Sequence, residues 1–366
     1  MELAIAGGGT GGHLYPGLAV AAAVKEMAPG TDVVFYGTRQ GLEQRVLSAA
    51  GYPMRRITAR GFLGKGPVDR MLFPVWLGLG IVQSLFHMAR SRPGVVLGTG
   101  GYVSAPPVIA AWMLRVPVAL LALDAMPSRA VRMLAPLARQ VYGGFPECSK
   151  YLKPGTEVIP TGNPIRAEIG RVSKEQGAGR FGLDSARRTV LVFGGSQGAH
   201  RINLAMLDAL GHFHQTGQLK DLQVIFQTGS RDYRLVSEAA GRISRDIRVL
   251  EYINDMAQAL AAADLAVCRS GAGVSEVLAG GLPAILVPFP HAASNHQEYN
   301  ARSLERAGAA EVILDRDLEG KMLAERIAAI IDDPQRQRRM RAAALSLARP
   351  EAAAEIARNI LALAEG

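Results

Sequence analysis

Twice along this chain a short apolar run ends in a cluster of glycines and resumes as a helix-forming stretch. The first instance is "ELAIAGGGTGGHLYPGLAVAAAVKEMA", with five glycines among positions 7 to 12, and the second is "RTVLVFGGSQGAHRINLAMLDAL". Glycine is penalised inside both helices and strands, so such a cluster marks a tight turn or a close approach to the backbone. A buried strand that turns through glycines into a helix leaves backbone N–H groups aimed into open space at the helix start, a setting that attracts phosphate. Gly194 opens the second cluster 187 positions after Gly7 (194 − 7), about half of the 366-residue chain. One unit of the same kind at the head of each half predicts two domains.

Each half continues in the same alternation. "TDVVFYG", "GVVLGTGG" and "VPVALLAL" follow in the first half, and "LQVIFQTG", "IRVLEYI", "DLAVCRSG" and "PAILVPFP" in the second. Unbroken apolar runs, rather than alternating ones, mean strands covered on both faces, hence parallel sheets with helices on either side. The expected fold is α/β, with two doubly wound, Rossmann-like domains facing across a cleft. Residues 1–162 form the first domain and 163–349 the second, around a linker "VIPTGNPIRAEIG" carrying Pro160, Gly162 and Pro164. The final stretch, 350–366, reads as a plain amphipathic helix, placed with the first domain.

Composition narrows the class. Hydrophobic residues at 49% and charged residues at 20% suit a globular protein with sizeable cores. Two cysteines, Cys148 and Cys268, suggest no disulfide framework and so a reducing compartment. The opening residues have neither a basic n-region nor a long apolar h-region, so no signal peptide is expected. "MLFPVWLGLGIVQSLFHM" approaches the length of a membrane span, but Pro74, Gln83, Ser84 and His87 interrupt it, which argues against a spanning helix. The net charge of +9 fits phosphorylated substrates or anionic lipid. Neither zinc-type spacing nor an aromatic-interleaved basic run occurs, so nucleic acid is not an expected partner.

Gly7, Gly9 and Gly12 satisfy the dinucleotide fingerprint G-x-G-x-x-G, a weak signal alone. A nicotinamide or flavin enzyme would need a carboxylate at the C-terminal end of the second strand, and that end reads Gly37-Thr38-Arg39. A second glycine loop is also superfluous for one dinucleotide. Two sugar-phosphate substrates, by contrast, need two phosphate-holding loops with the reacting atoms between them.

The chain resembles the MurG glycosyltransferases, which add N-acetylglucosamine to lipid-linked muramyl-pentapeptide in peptidoglycan synthesis. "GGGTGGHLYPGLAVA", "GTGGYVSAP", "GNPIR", "GGSQGAHRIN", "CRSGAGVSE" and "NHQEYNA" carry the resemblance in order, from residue 7 to 301. The resemblance implies a GT-B fold, UDP-N-acetylglucosamine as donor and undecaprenyl-diphosphate-linked muramyl-pentapeptide as acceptor, with no cofactor and no metal. It also implies a peripheral protein on the cytoplasmic face of the plasma membrane. Arg60, Lys65 and Arg70 beside Phe73, Trp76, Leu77, Leu79, Leu85 and Phe86 suit an anionic membrane surface, although part of that stretch reads equally as a core helix. Diacylglycerol or sterol transferases of the same fold, and two-domain UDP-sugar epimerases, are the alternatives.

His13, with an ordinary pKa of ~6.5, is a usable base near neutrality, and the resemblance sets it beside the acceptor hydroxyl. Thr10, Gly11 and Gly12 line the same cleft and are assigned to the donor; Gly101 and Tyr102 are assigned to the acceptor. Arg166, in the linker, can present a forked donor to a diphosphate. Ser196, between strand and helix, suits the same group. Glu276, after a glycine turn, can accept two ribose hydroxyls, or merely answer the helix dipole. By resemblance Ile253 contacts the uracil ring, with plain core as the alternative, and Gln297 holds the transferred sugar. Asn203 caps or braces. "DRD" at 315–317 is best explained as capping. Where MurG-like proteins read His-Glu-Gln-Asn, this chain reads Leu121-Ala122-Leu123-Asp124. Asp124, at a strand end, is expected to contact a substrate hydroxyl, with capping of the helix near Pro127 as the alternative.

Overall fold

The computed structural model describes residues 1–9, 11–38, 42–61, 66, 69 and 71–365. It divides into two compact units, Met1–Ile165 with Arg349–Gly366, and Arg166–Ala348. The first is built on seven parallel strands: β1 (Glu2–Ala6), β2 (Asp32–Gly37), β3 (Met54–Arg56), β4 (Val95–Gly98), β5 (Val118–Ala122), β6 (Gln140–Gly143) and β7 (Val158–Ile159). Their order is β3-β2-β1-β4-β5-β6-β7. The central runs are buried on both faces, as their unbroken apolar sequence requires: Leu3 and Ile5 pack to one side of the sheet, and Ala4 and Ala6 to the other. On the first side, helix Ala352–Glu365 lays Ile356 and Ile360 against Leu14, Val20 and Val24 of helix Gly11–Met27.

The second unit has six parallel strands: β8 (Arg188–Phe193), β9 (Leu222–Gln227), β10 (Ile247–Leu250), β11 (Leu265–Cys268), β12 (Ala284–Leu286) and β13 (Ala310–Val312). Their order is β10-β9-β8-β11-β12-β13. Strands β3, β7 and β13 have two or three residues each, too few for a periodic signal, and β7 lies inside the stretch whose prolines and glycine read as linker.

Helix Phe73–Ser91 joins the core along one edge only, where Met88 is buried and Leu85 packs beside it. Its buried positions are Gly80, Ser84 and Met88, one narrow stripe at helical spacing. Gly80 has to be bare because a Cβ there would overlap the carbonyl oxygen of Thr58 and stand 2.9 Å from Pro106. Val75, Leu79, Val82 and Phe86 face outward, next to exposed Met71. The Arg60 guanidinium lies 4.2 Å over the Trp76 ring. Lys65 and Arg70 lie outside the described residues. Among the described residues no helix is long and apolar enough to cross a membrane.

Candidate active site

In a doubly wound sheet, ligands bind beyond the C-terminal strand ends where the strand order reverses. In the first unit that point lies between β1 and β4, which pair directly. β1 runs into Gly7–Gly9 and β4 into Thr99–Tyr102, so the two loops meet. Gly7 is bare because a Cβ there would overlap the Thr99 hydroxyl. The half-buried His13 ring lies against the second loop: a Cβ on Gly100 would stand 3.0 Å from its Cδ2, and one on Gly101 3.1 Å from its Nδ1. Both glycines have φ in the left-handed region, at +98° and +72°, which side-chain-bearing residues seldom adopt. Sequence and backbone thus agree that the imidazole needs this space. Gly101 also precedes the turn that starts at Tyr102. Tyr102 is 40% exposed and its ring borders Gly9. Burial and the nearby Glu43 carboxylate both push its hydroxyl above the usual phenol range, so it stays a hydrogen-bond donor. Gly11 and Gly12 open the helix that carries His13. Thr10 lies outside the described residues.

Glu43 escaped the sequence reading. The C-terminal end of β2 has no carboxylate of its own, but helix Leu42–Ala49 returns one from its first turn. Glu43 is 2% exposed, and the Gly9 N–H donates to its Oε1 at 2.6 Å. A Cβ on Gly8 would overlap that same carboxylate. Part of the first glycine loop is therefore filled by an acid of the chain itself.

Asp124 is half-buried, two residues beyond β5. It does not cap the helix that follows: Ser128 does, accepting from the Val131 N–H at 3.3 Å. Asn163 ties the end of β5 to the segment after β7 by donating to the Leu123 carbonyl at 2.8 Å.

In the second unit the order reverses between β8 and β11, which also pair directly. Ser196 is exposed in the turn after β8. This turn is held from below: Gln227 Nε2 donates to the Gly195 carbonyl at 2.6 Å, and Gly198 fits against the Thr228 carbonyl where no Cβ could stand. Asn203, fully buried, donates to that carbonyl at 2.9 Å and to Asp232 at 2.8 Å, so it braces the turn rather than capping. Helix His200–Gln215 begins after Ala199, whose methyl side chain cannot cap it. Its first-turn N–H groups are left without a side-chain acceptor at the cap, the arrangement that favours an anion.

After β11, Glu276 stands in the first turn of helix Val274–Ala279. Its carboxylate is gripped by the Arg166 fork, Nε to Oε1 at 2.7 Å and Nη2 to Oε2 at 2.6 Å. An ion pair across 110 positions thus joins the helix-start position that local sequence suggested. Gln297 reaches the same loop: its Oε1 accepts from the Phe289 N–H at 3.0 Å, and its Nε2 lies 3.5 Å from where a Gly271 Cβ would be. Ile253 is buried, with its N–H 3.4 Å from Gln227 Oε1.

Arg269 also went unnoticed. It donates to the carbonyls of Val287 and Pro288, both at 3.0 Å, and pairs with Asp315 at 2.6 Å, which ties together the loops after β11, β12 and β13. The capping expectation for the stretch 315–317 is therefore corrected: the helix that follows, Gly320–Ile331, starts at Glu319 without a side-chain capping bond, and the Asp315 carboxylate serves Arg269.

Comparison with known proteins agrees with this architecture. Residues 3–143 match the glycosyltransferase family 28 N-terminal domain, and residues 189–357 its C-terminal domain. A protein of Anaeromyxobacter sp. (strain Fw109-5) is 43% identical over 98% of this chain and 92% of its own length. Another, of Moorella thermoacetica, is 40% identical over the full length of both. Both are named UDP-N-acetylglucosamine--N-acetylmuramyl-(pentapeptide) pyrophosphoryl-undecaprenol N-acetylglucosamine transferase. The crystal structure of Acinetobacter baumannii MurG superimposes with a TM-score of 0.75 at 26% identity, covering 99% of each chain. A UDP-N-acetylglucosamine 2-epimerase from Neisseria meningitidis shares the fold at 14% identity and a TM-score of 0.70, a likeness of fold alone. With relatives at this identity over its whole length, the chain belongs to glycosyltransferase family 28 and, within it, to the MurG N-acetylglucosamine transferases.

Proposed function

We infer that this chain transfers N-acetylglucosamine from UDP-N-acetylglucosamine to the 4-hydroxyl of undecaprenyl-diphosphate-linked N-acetylmuramyl-pentapeptide, the step from lipid I to lipid II in peptidoglycan synthesis. The observation that carries this reading is the 43% identity over 98% of the chain to a protein named for that reaction. The test is transfer of radiolabelled N-acetylglucosamine to the defined lipid acceptor with stoichiometric release of UDP. A labelled lipid product is expected. Epimerisation of the donor without any acceptor product would contradict the assignment.

The site chemistry divides by unit. The transfer is an inverting displacement: the acceptor oxygen attacks the anomeric carbon as the bond to the UDP oxygen breaks. His13 takes the hydroxyl proton, and Gly101 and Tyr102 belong to the acceptor side. Thr10, Gly11, Gly12 and Asp124 meet the sugar end of the donor. In the second unit, Ser196, the uncapped start of helix His200–Gln215 and Arg166 receive the charge that builds on the leaving diphosphate. Glu276 takes the ribose, Ile253 the uracil and Gln297 the transferred sugar.

The outward apolar face of Phe73–Ser91, with Arg60 at its edge, supports peripheral attachment to anionic lipid at the cytoplasmic face of the plasma membrane. Co-sedimentation with vesicles checks this. Pelleting should be stronger with anionic than with neutral vesicles and should fall with salt. Equal pelleting under all conditions would contradict the electrostatic part.

A further inference from the structure

Arg166 and Glu276 are both assigned above to the donor, one to the diphosphate and one to the ribose, yet they hold each other. The contact is a parallel fork: two N–H donors of one guanidinium edge meet the two oxygens of one carboxylate edge, at 2.7 and 2.6 Å. A vicinal diol offers a carboxylate the same thing, two adjacent donors for two oxygens. The guanidinium therefore occupies the edge that the 2′- and 3′-hydroxyls would use. A carboxylate has about four lone-pair sites, but only the pair along this shared edge can serve two adjacent donors at once.

We propose that Arg166 is a specificity-determining residue that makes ribose recognition by Glu276 conditional on a phosphate. When the donor arrives, the ribose hydroxyls displace the fork from Glu276, and the released guanidinium turns to the diphosphate. The carboxylate exchanges two donors for two donors, and the guanidinium exchanges one anion for another. Every charged group keeps partners throughout, which matters because the two side chains are only 25% and 14% exposed. A nucleoside lacking phosphate would displace Arg166 and give it nothing in return. Uridine-containing molecules without a diphosphate are thus rejected by the same pair that accepts UDP. The proposal rests on the ribose role of Glu276.

The experiment is calorimetry of UDP and of uridine on the full chain, comparing the parent, Arg166→Met, Arg166→Lys and Glu276→Ala. Circular dichroism confirms the fold of each variant. Arg166→Met should bind uridine about threefold or more tighter than the parent, because the edge is free, and UDP about tenfold or more weaker. Arg166→Lys, which keeps the charge but loses the fork, should also gain uridine affinity, with a smaller loss for UDP. Unchanged or weaker uridine binding in both arginine variants would overturn the exchange, since the first means no competition for the edge and the second means that Arg166 supports Glu276. Unchanged uridine and UDP binding in Glu276→Ala would instead show that the ribose assignment itself fails, and the exchange with it.

Discussion

The glycine loop of the first unit closes on its own side chains, whereas that of the second stands open. Around Gly7–Gly9 the Thr99 hydroxyl, the Glu43 carboxylate and the Tyr102 ring occupy the space that side chains on the glycines would need, and the Gly9 N–H is already given to Glu43. At Gly195 no described residue lies within reach of a Cβ, Ser196 is exposed, and the following helix starts without a side-chain cap. One strand–glycine–helix plan thus gives two kinds of site. A loop lined by a buried acid is a poor place for a diphosphate, because like charges repel strongly where water is scarce. An open loop at a helix start is a good one. The glycines of the first loop make room for side chains, as Gly100 and Gly101 of the neighbouring loop do for His13. In the second, Gly194 and Gly198 fit against the backbone of Ala199 and Thr228, and Gly195 alone faces open space.

Substitutions at His13, Asp124 and Glu43 test this contrast. The largest effect is expected for His13→Ala, which removes the base from the closed loop: turnover in the transfer assay should fall by about 10²–10⁴. Activity within threefold of the parent would place the base elsewhere. Asp124→Ala should come next, losing about tenfold or more in turnover through a missing hydrogen bond to a substrate hydroxyl, while Asp124→Asn keeps most of it. Normal turnover in the alanine variant would remove Asp124 from the site, and its capping role is already taken by Ser128.

Glu43→Ala is expected to destabilise the first unit by about 1–3 kcal/mol, read as a lower thermal midpoint, since the Gly9 N–H loses its acceptor in a buried setting. Its UDP affinity should not change. The smallest effect concerns titration. A carboxylate near a phenol disfavours the phenolate, so Glu43→Gln should let Tyr102 titrate lower than in the parent. Tyrosinate absorbance, taken as a difference against Tyr102→Phe, reads this shift. No downward movement would mean that burial alone holds the phenol up.

The sequence made visible whatever is local. Apolar runs, glycine clusters and helix starts lie within a few residues of one another, so both sheets, both loops and the position of His13 could be read directly. Contacts that join distant positions could not. Glu43 reaches Gly9 across 34 positions, and Arg166 reaches Glu276 across 110. In each case the charged residue has an unremarkable neighbourhood, a helix first turn or a linker. Arg269 sat within a motif whose glutamate drew attention, and its partner Asp315 resembled a cap because acids commonly stand before helices. The apolar stretch around Phe73–Ser91 was ambiguous for another reason. It is apolar nearly all round, so periodicity cannot tell which side packs, and only the bare Gly80 position reveals the buried stripe.

The division of labour between the two loops is tested most directly by UDP calorimetry on His13→Ala and Glu276→Ala side by side. UDP lacks the transferred sugar and the acceptor, so it reports the open site alone. His13→Ala should bind UDP within twofold of the parent despite its lost turnover, and Glu276→Ala should lose about 1.5–3 kcal/mol of binding free energy. Equal losses in both variants would contradict the account, because they would mean that the closed loop holds the nucleotide as well.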